Sequence, residues 1–159
     1  MKIHEARLRD IYAHARACFP EECCGLIFGP AGEDIGLVDQ VKPITNIQNR
    51  LHQTDPAQYP RDARQAYYMA PEEMLAAFRE AEEKGMVIKA FFHSHPNEKA
   101  YFSQEDTARA LVWDEPAYPD ATYLIVSIYP ERIAEVKGFR WSPEERRFTE
   151  VPVTPLHET

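Results

Sequence analysis

Two histidines separated by one residue form the part of this sequence that is best suited to binding a metal ion. His93-Ser94-His95-Pro96 follows an apolar run, and Ser103-Gln104-Glu105-Asp106 begins after six further residues. Side chains at positions i and i+2 of a strand project to the same side, so both imidazoles can reach one ion if the strand continues through the pair. Asp106 would reach that ion from the first turn of a following helix.

Two histidines and one carboxylate form a ligand set typical of catalytic zinc. They leave the fourth tetrahedral position of the ion open, whereas a structural site fills all four. Such a zinc ion lowers the pKa of its bound water to about 7 and polarises a carbonyl oxygen. The spacing therefore predicts a catalytic zinc site with His93, His95 and Asp106 as ligands, although a site of this type accepts other divalent ions too. The alternative is that the two histidines are structural or solvated, since a two-histidine fragment also occurs by chance.

The segment from Ser103 to Asp106 has a second interpretation that involves no metal. Ser-x-x-Asp fits a helix capping box, in which side chains at the two ends of the motif bond to each other's backbone N–H groups. Ser103 could have both roles. For Asp106 the roles are expected to compete, since a carboxylate on zinc has less freedom to cap a helix.

Candidates for the general base and for a nucleophile lie in Pro20-Glu21-Glu22-Cys23-Cys24-Gly25, ahead of an apolar run. From spacing alone, an acidic residue here indicates a strand end that faces solvent. Nucleophilic chemistry at Cys23 or Cys24 is an alternative, but neither cysteine has a recognisable catalytic context. Cys24 is interpreted as a small buried strand residue.

Glu22 with Gly25, followed far downstream by His-x-His, seven residues, Ser, two residues and Asp, resembles the JAMM (MPN-plus) metallo-isopeptidase family. The second block matches the family pattern without a gap. More loosely, the resemblance extends from the first helix to the strand ending near Tyr129. The compact length looks like the stand-alone prokaryotic members. One departure is Phe102 before Ser103, where relatives often carry a proline.

The resemblance implies a role for each matching residue. His93, His95 and Asp106 would bind Zn²⁺. Glu22, at the Glu-x-x-Gly position, would accept a proton from the zinc-bound water and pass it to the leaving amine. Ser103 would donate a hydrogen bond to the tetrahedral oxyanion, which is a reasonable role for a hydroxyl beside the metal.

The resemblance also implies the substrate class. The enzyme would hydrolyse the amide bond after the C-terminal Gly-Gly of a ubiquitin-like or sulfur-carrier protein, releasing a conjugated lysine or a C-terminal amino acid such as cysteine. A non-catalytic MPN-type interaction module is the alternative, but such modules lack the metal ligands that are all filled here. A nucleobase deaminase expects His-x-Glu and a downstream Pro-Cys-x-x-Cys, and neither occurs.

Apolar periodicity and turn signals indicate an α+β fold, with a single mixed β-sheet flanked by helices. The resemblance implies that this is a JAB/MPN-like fold with a cytidine-deaminase-like layout. The polar stretch 45–70 is predicted to be a long loop that contains at most a short element, and we hypothesise that it moves over the substrate groove. The predicted elements are helices at 3–18, 71–85 and from 103 to before 116, and strands at 23–28, 35–44, 86–92, 122–128, 132–141 and 146–153.

Composition limits the class of protein. The 159 residues favour one domain, spanning 1–159. The net charge of -8 disfavours nucleic acid and anionic membranes as partners, because the sequence forms no basic patch. Three cysteines, two of them vicinal, do not form a secreted disulfide framework. The N-terminus lacks the apolar run of a signal peptide, so a cytoplasmic location is expected.

Overall fold

The computed structural model describes residues 1–157. Strands and helices are interleaved along this part of the chain. In chain order they are β1 Lys2–His4, α1 Glu5–Cys18, β2 Cys24–Gly29, β3 Gln40–Ile44, α2 Gln48–Thr54, α3 Pro71–Glu83, β4 Val87–Pro96, α4 Gln104–Ala110, β5 Leu111–Val112, β6 Glu115–Pro116, β7 Thr122–Tyr129, β8 Arg132–Ser142, β9 Arg147–Val151 and β10 Thr154–Leu156.

A six-stranded mixed sheet carries the candidate residues. Its strand order is β3-β2-β4-β7-β8-β9; β4 and β7 run parallel, and every other neighbouring pair is antiparallel. Strand β4 is hydrogen-bonded on both sides and is buried from Lys89 to its end. The predicted α+β architecture, a mixed sheet flanked by helices, is confirmed. Two small two-stranded ribbons, β1–β10 and β5–β6, accompany it.

Helices cover both faces of the sheet, and alternation along β4 decides which residues face which helix. Phe92 belongs to the apolar cluster that includes Ile11 of α1, whereas Phe91 belongs to the cluster that includes Ala77 of α3. His93 and His95 follow Phe91 at intervals of two, so they lie on the α3 side of the sheet. The strand continues to Pro96, which meets the condition that the sequence set for a shared ion.

Several boundaries differ from the prediction. The strand predicted at 35–44 begins only at Gln40, because residues 36–39 form a turn in which the Asp39 N–H donates to Gly36 O. At two helices, pairing elsewhere in the chain overrides the local pattern. The first helix begins at Glu5, since Lys2–His4 pairs in parallel with Thr154–Leu156. The helix after Ser103 ends at Ala110. The chain then turns back in the β5–β6 hairpin, whose two turn residues have positive φ angles of 55° and 62°, as a tight two-residue hairpin turn requires.

The stretch 45–70, predicted to be a loop, contains helix α2 and returns to the sheet through the bridge between Asn46 and Met69. None of the helices in residues 1–157 is long and apolar enough to cross a membrane. The predicted domain extends to residue 159, so its last two residues lie outside the described part of the chain.

Candidate metal centre

His93, His95 and Asp106 come together at the end of β4. The Nε2 atoms of the two imidazoles are 3.2 Å apart. Asp106 Oδ1 lies 3.1 Å from His93 Nε2, and Asp106 Oδ2 lies 3.2 Å from His95 Nε2. All three side chains are buried. These separations are close to the value of about 3.3 Å between neighbouring ligands on a tetrahedral zinc ion.

The tautomer of His95 fits metal binding. Its Nδ1 lies 3.0 Å from the carbonyl oxygen of Lys99, which can only accept, so Nδ1 carries the proton. The lone pair of Nε2 therefore points toward His93 and Asp106. A backbone carbonyl that orients the far nitrogen is a common support of metal-binding histidines. The donor set of two imidazole nitrogens and one carboxylate oxygen is compatible with a divalent ion.

The three groups perturb one another's pKa values. Burial lowers the pKa of His93, against the opposing charge of Asp106. For His95, burial also disfavours the charged ring, but the hydrogen bond and charge of Asp106 outweigh it and raise the pKa. Burial alone would raise the pKa of Asp106, yet the two imidazoles hold it well below its usual range. The carboxylate is thus kept ionised, as a ligand must be.

Asp106 caps helix α4 and faces both imidazoles at the same time. Its backbone N–H donates to Ser103 Oγ across 3.0 Å, and its Oδ2 accepts from the Ser103 N–H at 3.0 Å. Capping the helix therefore does not turn the Asp106 carboxylate away from the two imidazoles, and competition between the cap and a bound metal stays a prediction. A carboxylate has about four acceptor positions, which is enough for a cap and a cluster together. The capping box holds the carboxylate in place toward the histidines.

Glu22 does not face solvent, contrary to the pattern expected of an acidic strand end. Its side chain is 5% exposed, and its Oε1 is buried without a hydrogen-bond partner in the described residues. The backbone N–H of Glu22 donates to Ala63 O at 2.7 Å, and its carbonyl accepts from Asn46 Nδ2 at 3.0 Å. Burial raises the pKa of this carboxyl well above its usual range, and the charge of Asp106 adds to the effect.

The segment that carries Glu22 is tied to β4 at the position between the two histidines. Ser94 Oγ accepts a hydrogen bond from the backbone N–H of Cys23 at 2.8 Å, and the Ser94 N–H donates to Cys23 O at 3.1 Å. Ser94 is therefore a strand residue that connects two parts of the site. The residue before Ser94 on β4, His93, pairs in register with Cys24 of β2. This double connection explains why Glu22 lies beside the histidines despite 70 intervening residues.

A cavity of about 520 Å³ opens onto the centre. Glu22, His95, Ser103 and Asp106 all line it, so four of the five candidate residues share one solvent-reachable space. His93 lies deeper, with its ring stacked on Tyr67 at a centroid distance of 4.3 Å. The remaining wall is polar and comes from the stretch 61–67, from 96–101 and from α4.

Comparison with known families agrees with this geometry. A family model described as prokaryotic homologs of the JAB domain matches residues 4–142. The chain belongs to this family. The stand-alone prokaryotic JAB/JAMM assignment made from the sequence is thus confirmed.

Two curated relatives of this JAB-domain chain are enzymes by name. It is 30% identical to the CysO-cysteine peptidase of Mycobacterium tuberculosis over 128 residues. This alignment covers 80% of the present chain and 73% of the relative. It is 29% identical over 153 residues to the desampylase of Haloferax volcanii, which covers 93% of each protein.

Solved structures share the JAB-domain fold. A protein from Desulfitobacterium hafniense superposes with a TM-score of 0.72 at 27% identity, covering 99% of this chain and 93% of that one. A JAB1/MPN domain protein from Archaeoglobus fulgidus superposes with a TM-score of 0.56 at 17% identity, covering 98% of this chain and 97% of that one. The second likeness concerns the fold alone.

Three features of this JAB-domain site escaped the sequence prediction. Tyr67, which stacks on His93, and Asn46, which holds the Glu22 carbonyl, both lie in the polar stretch without periodicity. The side chain of Arg109 crosses above the ring of Tyr68 at 5.0 Å. A single asparagine after an edge strand was the available signal for Asn46, because asparagine favours positions where it bonds to nearby backbone.

The cysteines contribute no nucleophile to the cavity. Cys23 and Cys24 are buried, and neither lines it. Burial raises the pKa of Cys23 to about 12 and also raises that of Cys24. A reactive cysteine needs an accessible, electropositive setting that lowers its pKa, and both thiols have the opposite.

Proposed function

We propose that this chain is a zinc metallopeptidase that hydrolyses the amide bond after the C-terminal Gly-Gly of a ubiquitin-like or sulfur-carrier protein. The observation that carries the proposal is the convergence of His93, His95 and Asp106 beside a cavity that is also lined by Glu22, whose Oε1 has no hydrogen-bond partner within residues 1–157. Zinc held by the three ligands would supply a Lewis acid that polarises the scissile carbonyl and acidifies water.

Glu22 moves the proton in this proposal. Its unpartnered Oε1 accepts a proton from the attacking water, whose oxygen bonds to the carbonyl carbon. The carbon–nitrogen bond then breaks, and Glu22 returns the proton to the amine nitrogen that leaves. The products are a carrier ending in a Gly-Gly carboxylate and a free amine. Glu22 reaches solvent only through the cavity, since its residue is 5% exposed, and the backbone bonds to Ala63 and Asn46 hold its segment in place.

Ser103 stabilises the oxyanion in this proposal. Its Oγ accepts the N–H of Asp106, so the hydroxyl hydrogen remains free to donate into the cavity. A preorganised donor aimed at developing negative charge is among the strongest contributions to catalysis. The helix cap and the catalytic hydrogen bond therefore use different parts of one hydroxyl.

The names of the two relatives support a hydrolytic function, because a peptidase and a desampylase are both enzymes. CysO-cysteine peptidase, moreover, names a substrate that contains cysteine. A cytoplasmic location is part of the proposal, since the three cysteines are free thiols.

Intact-mass spectrometry of carrier proteins tests the proposal. Small proteins ending in Gly-Gly, extended by one amino acid or joined through a lysine side chain, are incubated with zinc-loaded enzyme. We expect the wild type to cleave after the second glycine. Glu22→Gln should retain zinc and lose at least about a hundredfold in rate, which is the typical contribution of a general base.

Glu21→Gln is the matched control, because it alters the neighbouring carboxylate, which instead bonds to Asn49 at 2.9 Å. Its rate should stay close to that of the wild type. Zinc-loaded wild type that cleaves no carrier would overturn the substrate assignment. Glu22→Gln with a near wild-type rate would refute the general base.

A further inference from the structure

Three arginines line the catalytic cavity of a chain whose net charge is -8. Arg61 and Arg64 come from the stretch between α2 and α3, and Arg109 comes from α4. Apart from the proposed base and the metal ligand, the carboxylates in the wall are Glu98 and Glu105. The cavity thus carries more guanidinium groups than unassigned carboxylates, although the whole protein is acidic.

Two of the three arginines are already engaged. Arg109 donates to Gln48 Oε1 at 3.0 Å and lies 3.5 Å from Glu105 Oε1. Arg61 Nη1 lies 2.9 Å from Glu105 Oε2. The Glu105 carboxylate therefore pairs with two guanidinium groups, and both arginines already have partners within the protein.

Arg64 differs from its neighbours. Its backbone N–H donates to Asp62 Oδ1 at 2.9 Å, which anchors the main chain at the rim of the cavity. Its side chain is exposed, and within residues 1–157 the guanidinium has no ion pair or hydrogen bond. It is a cation at the catalytic cavity without an internal partner.

The chemistry of the leaving group decides what such a cation could bind. When the released group is a single amino acid, its α-carboxylate lies about 2.5 Å from the scissile nitrogen, two covalent bonds away. When the released group is a lysine side chain, no carboxylate lies near that nitrogen. The planar fork of a guanidinium matches a carboxylate through two parallel hydrogen bonds.

We propose that Arg64 binds the α-carboxylate of a single C-terminal amino acid, and that the enzyme prefers this leaving group over a lysine conjugate. The proposal rests on the function proposed above and specifies its substrate. Arg61, bound to Glu105, lines the same cavity, and its positive charge favours the same anion. The cavity then recognises the released amino acid through its charge, and the carrier through its Gly-Gly end.

A double-mutant cycle tests the proposal: the Arg64 side chain is changed in the enzyme, the terminal carboxylate is changed in the substrate, and kcat/KM is measured for each combination. The probes are a Gly-Gly-ended carrier extended by one cysteine with a free carboxylate, and the same protein ending in a cysteine carboxamide. We expect wild type to prefer the carboxylate by about tenfold to a hundredfold in kcat/KM, the range for a hydrogen bond to a charged group. Arg64→Gln should cleave both probes at the rate that wild type shows for the carboxamide.

Arg79→Gln is the control, because Arg79 is exposed on α3 and does not line the cavity. It should keep the wild-type preference. Equal wild-type rates for both probes, or a preference unchanged in Arg64→Gln, would overturn the assignment of Arg64 while leaving the peptidase function intact. No cleavage of either probe, nor of any lysine conjugate, would instead reject the proposed function on which it rests.

Discussion

The side-chain amide of Asn46 donates a hydrogen bond to the backbone carbonyl of Glu22 across 3.0 Å. The same nitrogen donates to Ala66 O at 3.2 Å, and the amide oxygen accepts the N–H groups of Gln48 and Tyr68, each at 3.0 Å. One side chain thus joins the proposed base to both ends of the stretch 45–70, part of which lines the cavity. Asn46 has the contacts of a positioning residue for Glu22.

Replacing Asn46 with alanine should lower kcat by at least about tenfold without loss of bound zinc, because a small displacement of a general base has a large effect on rate. The unfolding free energy should fall by about 1–3 kcal/mol, since backbone groups are left without partners. Zinc content, thermal unfolding and steady-state kinetics measure the three quantities separately.

Asn49→Ala is the comparison for Asn46. Asn49 donates to Glu21 Oε2 and accepts from the Ala63 N–H, and within the described residues it forms no hydrogen bond with Glu22. It should reduce stability with a smaller effect on kcat. If the two variants lose kcat equally at equal loss of stability, the positioning role of Asn46 is wrong.

Zinc removal should lower the melting temperature, because two imidazoles and a carboxylate converge with their ligand atoms within 4.8 Å of one another. Zinc at a hundredfold excess over its Kd stabilises by about 2.7 kcal/mol. For a chain of this length that corresponds to about 5–10 °C.

Asp106→Asn and His95→Ala should lose zinc and activity together. His157→Ala, at an exposed position, should keep the full shift; a similar shift in His95→Ala would contradict the ligand assignment.

Ser103→Ala should separate the cap from the catalytic hydrogen bond. The loss of the N-cap should lower the unfolding free energy by about 1 kcal/mol, and the loss of the oxyanion donor should lower kcat by about a hundredfold. Zinc content should not change, because Ser103 is not a ligand. Ser103→Thr keeps the hydroxyl and should recover most of both losses. Full activity in Ser103→Ala, measured with the same carrier, would refute the donor role.

Iodoacetamide at pH 8 should leave Cys23 and Cys24 of the native protein almost unmodified. A thiol with a pKa of about 12 is ionised in about one molecule in ten thousand at this pH, and burial blocks the reagent as well. Cys18 is half-buried, so it should react first although burial raises its pKa too. Mass spectrometry with and without denaturant measures each thiol. If iodoacetamide modified Cys24 rapidly in the folded protein and activity were lost, a nucleophilic role for Cys24 would be supported and its assignment as a buried strand residue would be wrong.

The elements that carry the candidate residues could be predicted because their signals are local. The histidine pair sits on an apolar strand, where alternation places both rings on one face. Strand β7, rich in β-branched and aromatic residues, appears within one residue of its predicted end at 128. These features depend on neighbours a few residues apart.

The remaining features depend on contacts between distant parts of the chain. Lys2–His4 is a strand because Thr154–Leu156 lies beside it, and no local pattern contains that partner. Glu22 looks like a solvated strand end until Ser94 and Ala63 bond to its segment and bury it.

The sequence by itself determined which residue types could perform hydrolysis and the order of the main elements, since spacing and periodicity are properties of short segments. Only the tertiary structure decided that Asp106 caps a helix and faces two imidazoles at once, and that the Arg64 side chain at the same cavity has no ion-pair partner among residues 1–157. Which acceptor positions of a carboxylate are used, and whether a guanidinium has a partner, depend on groups that are distant in sequence and come close only in the folded chain.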